Sequence, residues 1–206
     1  MTIHILDYGV GNLGSIQNML TKLGAEALIT SDVNAIDHAT KLILPGVGAF
    51  DAGMNQLNGS GLRSALDAAV LQRRVPVVGI CLGMQLMTVS SEEGQMPGLG
   101  WVPAKTIRFL PASNETMKVP HMGWSVVTKE KQSPVLELLD DDPRFYFVHS
   151  YHVSCHDRTD VLLTAQYGSI SFDAAFEHEN ILGLQFHPEK SHRFGMTLLK
   201  AFLEKY

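Results

Sequence analysis

Cysteine is scarce in this chain: 206 residues contain two, at positions 81 and 155. That count excludes a disulfide-built scaffold and suits a reducing compartment. Long hydrophobic runs are missing as well. No apolar stretch approaches the ~20 residues needed to cross a bilayer. The opening residues Thr2-Ile3-His4-Ile5-Leu6 read as a strand and not as a targeting segment. A cytoplasmic protein with no membrane partner is expected. Positive charge is also short. Lys and Arg number 16 against 21 Asp and Glu, for a formal net charge of −5. Without a basic cluster there is no electrostatic footprint for nucleic acid. No repeat, low-complexity tract or linker divides the chain. The rest of the composition, 45% hydrophobic and 18% charged, is ordinary for a globular protein. Residues 1–206 are expected to form one domain with a sizeable core.

The first half alternates short apolar strands with amphipathic helices. Strands are expected at residues 3–6, 27–30, 42–44 and 75–80. Helices are expected from Ser15, as N-cap, through Leu23, from Asp32 to His38 and from Gly61 to Arg74. Asn58-Gly59 has helical neighbours and reads as a helix–helix turn. This alternation implies an α/β fold, a mostly parallel sheet with helices on both faces. The second half is strand-rich, with runs at 105–109, 124–128, 145–154, 161–166, 171–177 and 181–186. These predict extra antiparallel strands, and a last helix from Ser191 to Lys205 would cover the first sheet.

The chemistry concentrates at one cysteine. Val75-Pro76-Val77-Val78-Gly79-Ile80 reads as a buried strand, and Leu82 to Val89 as a helix. Cys81 lies between them, with Gly79 and Gly83 two residues to either side. Such a junction must turn sharply, and the pattern is a nucleophile elbow written G-x-C-x-G. The positive end of the helix favours a thiolate there. Cys155 follows a strand-like run without flanking glycines and is expected to be passive.

A thiol nucleophile needs a base, and the base needs an orienting group. Phe186-His187-Pro188-Glu189 offers both. Proline biases its predecessor towards extended backbone, which puts residues i and i+2 on one face. Glu189 can then hold one imidazole nitrogen while the other faces Cys81. Pro45-Gly46-Val47-Gly48 follows another strand and can turn backbone N–H groups towards a ligand. With the Leu82 N–H, the Val47-Gly48 segment would make an oxyanion hole. His149, His152 and His156 are spaced for a helix face, but their segment reads as strand, where 149 and 152 point to opposite faces; no metal is expected. Gly9-Val10-Gly11-Asn12-Leu13-Gly14 has the G-x-G-x-x-G spacing but lacks the acidic residue of a dinucleotide site.

Together Gly79-Ile80-Cys81-Leu82-Gly83-Met84-Gln85 and Gln185-Phe186-His187-Pro188-Glu189 resemble the triad, or class I, glutamine amidotransferase family. Four further stretches resemble the branch that serves imidazole glycerol phosphate synthase: Tyr8 to Ser15, Leu44 to Phe50, Pro120 to Trp124 and Phe145 to Tyr151. Ser125 departs from the Asn more usual there, and His152 from an aromatic residue or Arg. The resemblance implies a flavodoxin-like three-layer sandwich and hydrolysis of glutamine through a Cys81 thioester, with His187 shuttling protons and Glu189 orienting it. It implies glutamine binding by Gly48, Gln85, His149, Ser150 and Tyr151, and no cofactor. It also implies a heterodimer in which a (β/α)₈-barrel cyclase docks around Asn12, Trp124 and Tyr146 and receives the ammonia for histidine biosynthesis. Alternatives are a glutaminase subunit for anthranilate or purine synthesis, or a stand-alone Cys hydrolase.

Overall fold

The computed structural model describes residues 2–111 and 117–206. Five strands form the parallel part of one sheet: β1 (Thr2–Leu6), β2 (Glu26–Thr30), β3 (Leu42–Gly46), β4 (Val77–Cys81) and β12 (Ile181–Leu184). Their spatial order is β2-β1-β3-β4-β12, the doubly wound order of flavodoxin-like sheets. The helices between them are α1 (Leu13–Lys22), α2 (Val33–Asp37), α3 (Phe50–Gly59), α4 (Arg63–Asp67) and α5 (Leu82–Leu86).

The sheet then continues antiparallel. β12 pairs with β11 (Ile170–His178), followed by β10 (Val161–Tyr167), β7 (His121–Lys129) and β8 (Arg144–His149). A side branch holds β5 (Ser90–Ser91), β6 (Ala104–Arg108) and β9 (Tyr151–Cys155), with β9 pairing both β6 and β11. The chain closes with α6 (His192–Lys205).

Strand alternation splits the core into two. Ile3, Ile5, Ile43, Val78 and Ile80 pack on one side against Ile16 and Leu20 of α1 and Leu198 and Phe202 of α6. Leu6, Leu42, Leu44 and Val77 pack on the other against Phe50, Leu57, Leu66 and Leu82. Each of these fully buried side chains contributes about 1.5–3 kcal/mol by leaving water.

Several expected boundaries move. Leu13 packs against the first core, so α1 begins there with Asn12 as N-cap, and Ser15 lies inside the helix. The helix expected from Gly61 to Arg74 is α4 followed by a π turn, Ala68–Gln72. Asn58 and Gly59 are the last residues of α3, and the turn follows them. The helix from Leu82 stops at Leu86, because the Thr88 hydroxyl donates back to the Gln85 carbonyl at 2.7 Å and the chain re-enters the sheet at Ser90. The run 145–154 breaks at Ser150 into β8 and β9.

Packing is close where α5 crosses the ends of β3 and β4. A Cβ on Gly83 would lie 1.9 Å from the Leu44 carbonyl oxygen, which belongs to backbone and cannot swing aside. Gly83→Ala is therefore expected to cost about 3 kcal/mol, the upper range for an overpacked core. Urea denaturation of the two proteins measures it.

Candidate active site

Parallel register sets the site. Gly46 of β3 pairs with Cys81 of β4, and Leu184 of β12 pairs with Ile80. The segments that leave these strands, Val47-Gly48 and Gln185-Phe186-His187, therefore emerge on either side of the same cysteine. Cys81 has φ +54° and ψ −111°, a conformation that L-residues adopt only when their surroundings impose it. Gly79 leaves the room: a Cβ there would sit 2.7 Å from Met87 Sδ and 2.8 Å from Met84 N. The elbow read from the sequence is present, with Leu82 as the first residue of α5.

His187 and Glu189 meet as their spacing predicts. His187 Nδ1 is 2.8 Å from Glu189 Oε1, and both side chains are almost fully buried. The Ser191 hydroxyl donates to the His187 carbonyl at 2.6 Å and accepts from the Tyr146 N–H at 3.0 Å. The His187 N–H donates to the Tyr146 carbonyl at 2.9 Å. The turn that carries the imidazole is thus pinned to β8. His187 Nε2 is buried and has no aligned hydrogen-bond partner; the Cys81 sulfur acts on it through proximity and charge. Burial lowers the imidazole pKa, but Cys81 and Glu189 outweigh it and hold the group up at about 9.

A cleft of about 330 Å³ opens over Cys81 and His187. Val47, Gly48 and Leu82 line it, as do Gln85, His149, Ser150 and Tyr151, so all the residues expected to bind or polarise a substrate share one cavity with Cys81 and His187. Gly48 has φ +105° and open space where a Cβ would be. Gln85 Nε2 donates to the Tyr151 carbonyl at 3.0 Å and to Gln185 Oε1 at 3.1 Å. Gln185 is fully buried, and its Nε2 lies 3.9 Å from Cys81 Sγ.

Sequence reasoning missed Gln185, although its place two residues before His187 was a usable signal. It also missed Glu93, which lines the cleft and accepts from the Phe50 N–H at 2.9 Å, and Tyr8, whose hydroxyl donates to the Pro45 carbonyl at 2.5 Å and anchors the turn before Val47. Glu93 carries no motif, and Tyr8, at the head of the glycine-rich stretch, carries none that points to the thiol. The expectation that His149 and His152 face opposite ways fails. The break at Ser150 brings both rings onto Phe109, at centroid distances of 5.2 and 4.6 Å. Among the described residues, no group of three or more His, Cys, Asp or Glu is arranged to hold a metal ion. Cys155 is buried, and burial followed by the neighbouring Asp173 pushes its thiol pKa up, away from reactivity.

The three residues expected at a partner interface lie apart from this cleft. Asn12 is exposed ahead of α1. Trp124 and Tyr146 are register partners on β7 and β8, 6.2 Å apart between ring centroids. Trp124 stacks on His192 at 5.5 Å. Met122, Trp124 and Val126 alternate along the outer face of β7 and are all exposed, an apolar row of the kind found at interaction surfaces.

A strained thiol at a strand–helix elbow, with a buried His–Glu pair emerging from the adjacent strand, marks a class of enzymes, and the chain belongs to it: the family described as glutamine amidotransferase class-I matches residues 4–206. Within that class, the chain is 50% identical to the imidazole glycerol phosphate synthase subunit HisH 2 of Methanococcus maripaludis, over 98% of this chain and 99% of that one. It is 49% identical to the subunit of the same name from Pseudomonas aeruginosa, over 98% of each chain. Among solved structures, one described as a glutamine amidotransferase superposes with a TM-score of 0.74 at 19% identity, covering 98% of this chain and 97% of that one. A glutamine amidotransferase from Thermotoga maritima superposes with a TM-score of 0.70 at 16% identity, covering 100% and 97%. The fold is that of the class I amidotransferases.

The raised pKa of His187 has a measurable signature. An NMR titration of its ring is expected to show a midpoint near 9, and Glu189→Gln should lower it by removing one of the groups that raise it. Because the folded pKa lies above the ordinary value of about 6.5, the stability this group adds is fully present below that value. It is lost as pH rises through about 9.

Proposed function

We propose that this chain is the glutaminase subunit of an imidazole glycerol phosphate synthase in histidine biosynthesis. The observation that carries the reading is the cleft in which Cys81 and His187, the latter held from behind by Glu189, meet the residues fit to hold glutamine. The near full-length likeness to HisH subunits supports the choice of synthase over anthranilate or purine amidotransferases. The protein works in the cytoplasm as a single domain, residues 1–206, needing no cofactor.

Cys81 Sγ attacks the carboxamide carbon of glutamine. The oxyanion that develops is met by the Leu82 N–H and by the Val47-Gly48 backbone. His187, cationic when the thiol is ionised, gives its proton to the departing nitrogen, and ammonia leaves. Water, deprotonated by the same imidazole, then cleaves the thioester to glutamate and returns Cys81. Glu189 keeps the imidazole in the orientation both steps need. Gln85 and the backbone of His149, Ser150 and Tyr151 hold the amino-acid end of the substrate, and Glu93 offers a carboxylate for its ammonium group. The partner is a (β/α)₈-barrel cyclase that covers Asn12, Tyr146 and the apolar row around Trp124. Ammonia passes to it and is built into imidazole glycerol phosphate, with release of an aminoimidazole carboxamide ribotide.

Cys81→Ala is expected to abolish glutamine hydrolysis while the complex still assembles and still runs its synthase reaction on added ammonia. Continued glutamine consumption by that complex would refute the assignment. The positive φ of Gly48 makes the oxyanion segment cheap to turn, and we assign to the docked partner the role of favouring its competent state. Glutamine turnover by the isolated chain should therefore be lower by about 10²–10³ than turnover by the complex carrying the cyclase ligand, the value of one oxyanion donor. Gly48→Ala should weaken that activation more than it weakens assembly. Equal rates with and without the cyclase would exclude the switch and leave the triad standing.

A further inference from the structure

A line of hydrogen bonds runs beneath β7 and β8 into the substrate cleft. His121 Nε2 is 2.9 Å from Ser125 Oγ, and His121 Nδ1 is 3.0 Å from His149 Nε2. His149 Nδ1 is 2.7 Å from the Tyr151 carbonyl oxygen, which also accepts from Gln85 Nε2 at 3.0 Å. One set of tautomers satisfies every link with neutral rings. A carbonyl only accepts, so His149 carries its proton on Nδ1 and accepts at Nε2. His121 must then donate from Nδ1 and accept the Ser125 hydroxyl at Nε2. Burial keeps both rings uncharged, with pKa values held down near 4 for His121 and near 3 for His149.

Packing does not account for a histidine at position 121. Its ring is buried, stacked 4.1 Å from Tyr167 and 5.0 Å from Phe147, surroundings that a phenylalanine would fill at no desolvation cost. What an imidazole adds is the two bonds, and both belong to the line that ends at Tyr151 and Gln85.

We propose that His121 is a positioning residue for glutamine binding: it fixes His149, and through it the Tyr151 carbonyl and Gln85, in the geometry that receives the amino-acid end of the substrate. This rests on the glutaminase reading above. His121 touches neither Cys81 nor the cleft, so its loss weakens the binding of substrate more than it slows chemistry at the thiol.

The test uses the full chain in complex with its cyclase partner. A wild-type complex that does not hydrolyse glutamine would overturn the glutaminase reading before any variant is compared. Given turnover, His121→Phe is expected to raise KM for glutamine about ten-fold, the effect of leaving His149 Nε2 without a donor, with kcat changed less than about three-fold. Alkylation of Cys81 by iodoacetamide, which needs no amino-acid subsite, should keep its wild-type rate. Labelling by a glutamine-shaped chloroketone should slow by about the same factor as the rise in KM. His121→Asn, whose amide can donate from the place of Nδ1, should recover most of the loss. KM within about two-fold of wild type in His121→Phe, or no recovery in His121→Asn, would overturn the inference. If His121→Phe does not fold, His121→Leu decides: it too leaves His149 Nε2 without a donor, so a raised KM supports the inference and one within about two-fold of wild type overturns it.

Discussion

Absence of clearance between β3, β4 and α5 is the constraint on which the rest of this structure depends. Cβ atoms added to Gly46, Gly79 or Gly83 would all meet backbone atoms closer than 3 Å. Because α5 lies this near the strand ends, Cys81 is driven to positive φ and its side chain stands clear of the sheet. The same closeness sets the Leu82 N–H and the Val47-Gly48 turn beside one sulfur. The strain at Cys81 is held by fully buried neighbours, Leu44, Leu82 and Met84 among them, so it persists without a ligand to enforce it.

Around that point the site is polar but dry. Gln85, Gln185, His149 and His187 are all under one-tenth exposed. In such surroundings a hydrogen bond is stronger than in water, and a missing one is costly. The two glutamine side chains show how this is managed. One amide group of Gln85 serves two acceptors, and Gln185 passes the connection on to the thiol. Glu189 departs from the pattern, with Oε1 engaged and Oε2 buried without a partner. A carboxylate held that way favours a cation on the imidazole beside it, which accords with the raised pKa of His187.

The local parts of this design were legible in the chain, and the parts made by topology were not. Cys81 between Gly79 and Gly83, and His187 two residues before Glu189, are short-range patterns whose geometry follows from backbone period and proline. The alternation of strands and helices to residue 80 was likewise readable, since each element buries a face of its own. Glu93 and Tyr8 reach the site only because loops from distant strands converge there; nothing marks the neighbours of Glu93, and the glycine-rich run after Tyr8 reads as a turn and not as part of the site. The facing of His149 and His152 was misread for a related reason. A continuous aromatic and β-branched run hides the break at Ser150, which exists because β8 pairs with β7 while β9 crosses to β6. Ser125 and His152, the two departures from the family pattern, both meet the same aromatic and histidine cluster.

The place of β12 has a consequence for how the protein comes into being. This strand lies between β4 and β11, yet among the described strands it is the last in chain order, just ahead of the turn that carries His187 and Glu189. On a ribosome, the slot beside β4 stays open until residues 181–184 emerge, since chains are made from the N-terminus at about 5–20 residues per second. Until then Cys81 has no imidazole beside it, and the middle of the sheet exposes an unpaired edge. A chain that stops short of residue 189 therefore lacks the His187–Glu189 pair that faces the thiol. Closure of the sheet and assembly of the pair beside the thiol wait on the same short stretch of chain.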